Sequence, residues 1–328
     1  LSVLTSRRAI LGGVAGVIAG AAGTAIALHR ERGPVLRVGV MANLTHAPLL
    51  AGLGSGRIAR ALAPTRVEPR VFRAGPRVTE ALIGGALDVG TAGPAAAVIH
   101  HARHARGGRG PLRILTGCCS GGASLVVSRT SGIAGPSDLR GKRLAVTQLG
   151  TTQDVALRLF LRNAGLRDAA SGGDVELVAI SGATILHRMR RGDLHGAWLP
   201  EPWATRVVAD ASAVRLVDER DLWPGRRFST AVLVARADGA ASDDVARLTR
   251  ALDEEVARAI ADVRTTLHEA YAELARHVGN PGELSLFEEA ARFVDFTSDP
   301  LRESVERFGD VAASFGLCPP RPARGLFL

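Results

Sequence analysis

The sequence predicts an α/β protein of two facing domains, and two observations carry that expectation. One is internal repetition. Val38-Gly39-Val40-Met41-Ala42-Asn43-Leu44-Thr45-His46 recurs in pattern as Leu144-Ala145-Val146-Thr147-Gln148-Leu149-Gly150-Thr151-Thr152, and the run from Gly85 to Pro94 recurs from Gly192 to Glu201 at nearly the same spacing. In each copy a short apolar run meets a turn of small or hydroxyl residues and then a helical pattern, the form of a buried parallel strand leading into a helix N-terminus. The other is the steady alternation of strand and helix patterns as far as residue 235, replaced from residue 242 by helical patterns alone. Halves built this way turn several helix starts, with their free N–H groups, toward one cleft that suits a small anion.

Local signals justify each element in turn. A strand at 35–40 leads through Thr45, a capping residue type, into a helix at 47–62. A strand at 67–72 precedes a helix at 76–83 whose first turn holds Pro76. A strand at 87–90 is followed by a helix that Pro94 opens and that ends near 106, then by a Gly-rich loop at 107–110 and strands at 112–118 and 125–128. The second unit repeats the scheme with strands at 144–147, 175–179 and 196–199 and helices at 152–163, 183–191 and 201–209. Such alternation implies parallel sheets. Strands at 214–217 and 230–235 end the α/β part, and helices at 242–263, 265–277, 284–293 and 300–315 form a tail that packs back on the first domain. The chain then crosses between domains twice, near 123–127 and 228–233, so that residues 34–125 and 229–328 form domain I and residues 126–228 form domain II. Two crossings make a hinge about which a cleft can close.

Composition narrows the function. A hydrophobic content of 46% with 22% charged residues places the chain among globular proteins. The formal charge of +9 rests on scattered arginines, Lys142 being the sole lysine, and no basic block is interleaved with aromatics. The charge is therefore read as a solvated surface with a modest attraction for anions, not as a nucleic-acid footprint. Cys118 and Cys119 are adjacent, a strained geometry for a bridge, and are expected to pack at the end of a buried strand. His100, His101 and His104 fall at the end of a helix among arginines with no carboxylate nearby, so no metal is expected there. There is no nucleophile elbow, no paired carboxylates and no Gly-rich nucleotide loop, and neither enzyme chemistry nor a cofactor is expected. Thr5-Ser6-Arg7-Arg8 before a Gly/Ala-rich apolar run resembles a twin-arginine export signal over residues 1–27, with an uncleaved membrane anchor as the alternative. Either way the bulk of the protein is expected outside the cytoplasm.

Six segments in order resemble one family: Asn43 to Pro48, Ala81 to Asp88, Ser120 to Ala123, Gln148 to Leu157, Gly196 to Ala204, and Phe296 to Pro300. Together they are similar to the periplasmic substrate-binding proteins of ABC importers for aliphatic sulfonates, nitrate and taurine, most of all to the aliphatic-sulfonate branch. The resemblance implies a two-domain type II periplasmic-binding-protein fold of the Venus-flytrap kind. It also implies a monomeric receptor that carries a small organosulfonate or related oxyanion to an ABC permease and its ATPase. The alternatives are a receptor for nitrate, bicarbonate or taurine, and a biosynthetic enzyme of the same fold, as in thiamine-pyrimidine or menaquinone pathways. The chain departs from the family pattern at Cys118-Cys119, where small hydroxyl or alanine residues are expected.

Binding an anion that must later be released favours neutral donors at helix N-termini, each worth about half a positive charge. The expected ligand contacts of domain II are Gly150, Thr151, Thr152 and Gln153, with capping as the other role open to the two threonines. Asn43, Thr45 and His46 occupy the equivalent turn of domain I, His46 being either a cleft contact or a satisfied structural residue. Gly93, Pro94, Ser120, Gly121 and Gly122 are expected to complete the rim. Glu201 is read either as a first-turn acid favoured by its helix dipole or as an acceptor for a ligand amine. Trp203 is read as an apolar wall or as interdomain core.

Overall fold

A computed structural model of the chain describes residues 33–278 and 281–328; the export segment expected at 1–27 lies outside the described residues. The chain runs β1 (Val35–Met41), α1 (Ala47–Gly54), α2 (Arg57–Leu62), β2 (Arg66–Phe72), α3 (Gly75–Ile83), β3 (Val89–Ala92), α4 (Pro94–Arg103), β4 (Leu112–Gly121), β5 (Ala123–Ser128) and β6 (Arg143–Val146). It continues with α5 (Thr152–Asn163), β7 (Glu176–Ala179), α6 (Gly182–Arg190), β8 (Gly196–Pro200), α7 (Trp203–Asp210), β9 (Ala213–Asp218) and β10 (Ser229–Arg236). The tail comprises α8 (Asp243–Ala261), α9 (Val263–Val278), α10 (Leu284–Ala290), β11 (Val294–Phe296) and α11 (Arg302–Ser314).

Two sheets divide these strands. The first has the order β11-β4-β10-β3-β1-β2 and the second β7-β6-β8-β5-β9. In each, the three strands that lead into helices are parallel, as β1 with β2 and β3, and β6 with β7 and β8. The sheets are mixed rather than wholly parallel, because β10 runs antiparallel to β3 and β4, and β5 antiparallel to β8 and β9. The reason lies in the connections: the strands that carry the chain between lobes enter without a crossover helix, and only a crossover restores parallel direction.

The first crossing falls at Gly122, earlier than the boundary expected after residue 125, so Ala123 to Leu125 pair with β8 in the second sheet. Gly121 and Gly122 both have φ near +70° (73° and 72°), and a Cβ on Gly121 would lie 2.8 Å from the Phe293 carbonyl oxygen. Only glycine takes that turn without strain. The return crossing occupies the segment between β9 and β10, where Trp223, Phe228 and Phe308 pack ring against ring.

The tail does pack on the first lobe, with one extension. The apolar face of α8, through Leu248, Leu252 and Val256, and that of α9, through Leu267 and Leu274, join β1 and α1 in one buried core. Arg57 on α2 fastens both helices, its guanidinium donating to Glu255 (2.6 Å) and Glu269 (2.6 Å). The last helix α11 straddles the lobes: Phe308 and Ala312 share a core with Ile99 of α4 and Val155 of α5. Two helical readings also change. The helix expected over 47–62 breaks at Gly56, which sits at φ 74° as the N-cap of α2. The helix expected to end at 293 stops earlier, and β11 follows it as an added strand on β4. Cys118 and Cys119 are free and buried on β4, and burial pushes the Cys118 thiol up to about 12. No described helix is long and apolar enough to cross a membrane.

The return crossing buries a carboxyl group. Glu219 is fully buried; Trp198 Nε1 donates to its Oε2 (2.7 Å) while Oε1 has no partner among the described residues. Burial pushes its pKa up to about 8, against the opposing indole N–H groups of Trp198 and Trp223. A carboxyl raised in the folded state contributes stability that is complete below its unfolded pKa, near 4.5, and is lost as pH rises through 8. The melting temperature of the native protein is therefore expected to fall between pH 5 and pH 9 more steeply than that of Glu219→Gln, as measured by scanning calorimetry across that range. Equal slopes would show that Glu219 is not protonated at the crossing.

Candidate functional site

A cavity of about 420 Å³ lies between the lobes at the ends of the parallel strands. Eight of the residues expected from the sequence line it: Asn43, Thr45 and His46 after β1, Gly93 after β3, Thr151, Thr152 and Gln153 at the start of α5, and Trp203 at the start of α7. Its volume falls in the range of organic-ligand sites, roughly 300–1,000 Å³.

The two lobes meet where helices begin. Thr152 Oγ1 accepts from the Ala95 N–H of α4 (3.4 Å), so the N-termini of α4 and α5 abut. Gly93 permits that approach, since a Cβ there would stand 2.8 Å from Thr152 Oγ1. Thr151 is committed to its helix: its hydroxyl accepts from the Asp154 N–H (3.3 Å) and donates to the Gln148 carbonyl (2.8 Å). Thr152 keeps its hydroxyl proton for another acceptor. Gln153 is largely buried, yet its amide makes no hydrogen bond among the described residues. A third helix start, that of α6, reaches the cavity through Gly182, with Ser181 capping it by accepting from the Thr184 N–H (3.2 Å).

On the opposite side Asn43, not Thr45, opens the turn. Asn43 Oδ1 accepts from the Thr45 N–H (3.1 Å) and the Thr45 hydroxyl (3.3 Å), which holds a short 3₁₀ turn before α1. His46 then caps α1 and is 2% exposed, and its Nδ1 has no partner among the described residues. Burial without a compensating carboxylate lowers its pKa to about 3. The ring is therefore neutral at physiological pH and offers one N–H donor and one acceptor.

Six expected residues are placed elsewhere. Pro94 is buried in the first turn of α4, behind Gly93. Ser120, Gly121 and Gly122 form the crossing between sheets rather than a rim: the Ser120 hydroxyl accepts from the Phe228 N–H (3.3 Å), and the glycines serve the turn. Gly150 turns its N–H to Asp154 Oδ2 (2.8 Å) and so has none to offer an anion. Glu201 is fully buried behind the cavity wall, accepting from Arg215 Nη2 (2.7 Å) and the Thr205 N–H (3.0 Å). Burial pushes its carboxyl up and Arg215 opposes this. The Arg215 guanidinium in turn lies over the ring of Phe293 (3.6 Å), which belongs to the first lobe. Glu201 thus holds an interlobe contact and is not available to a ligand amine.

The structure adds Arg73, Thr230 and Arg206 to the cavity, together with apolar Leu274 and Val278 of α9. Arg73 follows β2 at the same kind of strand-to-helix turn as Asn43, so the repeat rule applied to the second strand would have found it. Arg206 lies one helical turn beyond Trp203 and stacks on its ring (4.6 Å), an i,i+3 relation readable from the helix period. Leu274 and Val278 carry no such signal, since their arrival depends on how the tail folds back.

Residues 30–276 match the model of the NMT1-like family. The chain belongs to that family. Among curated relatives, a putative binding protein of Brucella abortus (strain 2308) is 26% identical over 236 residues, covering 71% of this chain and 68% of the relative. The taurine-binding periplasmic protein of Escherichia coli (strain K12) is 27% identical over 159 residues, covering 48% of this chain and 46% of the relative. Among solved structures, the alkanesulfonate-binding protein SsuA from Xanthomonas axonopodis pv. citri, bound to MOPS, superposes with a TM-score of 0.70 at 20% identity, covering 88% of this chain and 96% of that one. At that identity the likeness establishes the two-lobed fold for this NMT1-like protein.

Two outcomes follow from the geometry of the site. Glu201→Ala strands the half-buried Arg215 without its partner and is expected to destabilise the protein by about 3–5 kcal/mol in urea unfolding. A loss below 1 kcal/mol would contradict the structural role given to Glu201. The His46 ring protons are expected to show no NMR titration between pH 8 and pH 5, because the group protonates only near pH 3. A midpoint near 6.5 would show a solvated ring.

Proposed function

We propose that this protein is the extracytoplasmic receptor of an ABC importer, binding a small organic oxyanion of the sulfonate class in the interlobe cleft and closing about the two crossings. The observation that carries the reading is the meeting of the α4 and α5 N-termini in one cavity with Thr152, Gln153 and neutral His46. Aligned peptide dipoles and uncharged donors hold an anion without a buried salt bridge, which leaves release inexpensive. The sulfonate and taurine specificities named for the similar proteins support the same class of ligand. The site supports binding rather than catalysis: among the described residues no Asp, Glu, Cys or Lys lines the cavity, His46 is neutral, and the Ser181 hydroxyl is engaged as a cap. Delivery to a permease and export by the N-terminal segment complete the proposal.

A melting screen with alkanesulfonates, taurine, nitrate, sulfate and bicarbonate tests it. A ligand at 100 times its dissociation constant stabilises by about 2.7 kcal/mol, a shift of several degrees for a chain of this size. The reading requires such a shift from at least one of these anions; silence from all of them would end it. Gln153→Ala, which removes a side chain with no protein partner, is expected to weaken binding about tenfold to a hundredfold and to leave the unliganded melting temperature unchanged, since a hydrogen bond to a charged group contributes about 1.5–3 kcal/mol.

A further inference from the structure

Arg206 is a cation in the cleft wall that no carboxylate among the described residues pairs with. Its Nη1 donates to the Pro281 carbonyl (3.2 Å) and its guanidinium stacks on Trp203, but its Nε is buried with no hydrogen-bond partner among the described residues. It forms no ion pair among the described residues. Two acids border the groove on its outer side, and both are engaged elsewhere: Asp210 with Arg190 (3.4 Å) and Glu283 with the Ser285 hydroxyl (3.5 Å). Arg73, from the other lobe, lines the same cavity and likewise makes no ion pair or hydrogen bond among the described residues. Among the described residues no carboxylate lines the cavity, and Glu201, behind its wall, is paired with Arg215. The cleft is thus positive at more than one place: at the abutting helix starts, and again at the two guanidinium groups. Between a half-buried cation and its missing counter-charge, the deficit falls to the ligand.

We infer that the ligand is a two-ended organic anion, with one oxyanion held by the helix starts near Thr152 and Gln153 and a second acidic or strongly accepting group at Arg206. Its apolar body lies against Trp203, Leu274 and Val278. The cavity of about 420 Å³ has room for such a body, which a bare nitrate or sulfate would leave to water. The same charge distribution disfavours an ammonium group, because an amine at that end would be desolvated beside the Arg206 guanidinium with no carboxylate among the described residues lining the cavity. Taurine and its homologues are therefore poor ligands of this cleft. The inference rests on the receptor reading above and specifies its ligand.

The test compares three sulfonates of matched length by titration calorimetry: 4-sulfobutanoate, pentane-1-sulfonate and 4-aminobutane-1-sulfonate. The expected order of affinity is carboxylate-ended, then alkyl-ended, then ammonium-ended, with at least tenfold between the first and the last. Arg206→Leu is expected to remove the advantage of 4-sulfobutanoate over pentane-1-sulfonate, read as the ratio of the two affinities in the same variant. Arg206→Lys, which keeps the charge, retains part of the preference and serves as the deciding variant should the leucine protein melt early. Tighter binding of the ammonium-ended compound, or an equal loss for all three ligands in the lysine variant, overturns the inference while leaving the receptor reading intact. Failure of all three to bind, with no response in the anion screen, removes the receptor reading and this inference together.

Discussion

The meeting of two helix starts across the lobes is the constraint on which the rest of the site depends. Each N-terminus carries about half a positive charge, and bringing α4 and α5 within one hydrogen bond of each other is unfavourable unless something negative lies nearby. The Asp154 carboxylate in the first turn of α5 answers part of that charge, although it is itself paired with Arg158 (2.8 Å), and among the described residues no carboxylate lines the cavity. The cost is offset lower down, where Ile99 of α4, Val155 of α5 and Phe308 of α11 share one buried core. Apolar packing holds the dipoles in place and leaves their charge for a guest. His46 is neutral for a separate reason, since burial disfavours its charged form.

The crossings decide where that packing can occur. Two glycines with left-handed φ let the chain leave the first sheet at Gly122, and the neighbouring Phe293 carbonyl accepts from the Gly122 N–H (2.6 Å). The return strand is anchored by stacked Trp223 and Phe228 and by the buried Glu219 carboxyl, whose partner Trp198 belongs to β8 of the second lobe. The Arg215–Phe293 contact adds a third link between lobes, outside the cavity. The residues of these crossings form a second set, separate from the described residues that line the cavity. A polar group that looks functional in the sequence, such as Glu201 or Ser120, belongs to the second set.

Much of the architecture was legible because parallel strands buried on both faces read as short apolar runs, and because their helices begin at recognisable caps and prolines. The turn at Gln148 to Gln153 was legible as a helix start, because Thr151 is a capping residue type, and its hydroxyl does cap α5. The antiparallel direction of β5 and β10 was not, since pairing direction depends on connections and not on apolar pattern. The β11 strand was hidden by its length of three residues, too short for any periodicity. Ser120, Gly121 and Gly122 were misplaced because the same small residues serve a ligand rim and a tight crossing equally well.

The sequence by itself determined the repeated strand–helix units, the helical tail, and the set of neutral donors waiting at helix starts, because each is written within a few neighbouring residues. Only the tertiary structure decided which donors share a cavity, and that Glu201 is spent on Arg215. It also decided that Arg73 and Arg206 line the same cavity with no ion pair among the described residues. Those outcomes depend on groups far apart in the chain arriving together, and on whether a charge finds its partner before a ligand does. Local pattern carries no record of such pairings, because the free energy that selects them comes from desolvation and packing among elements that meet only once the lobes have formed.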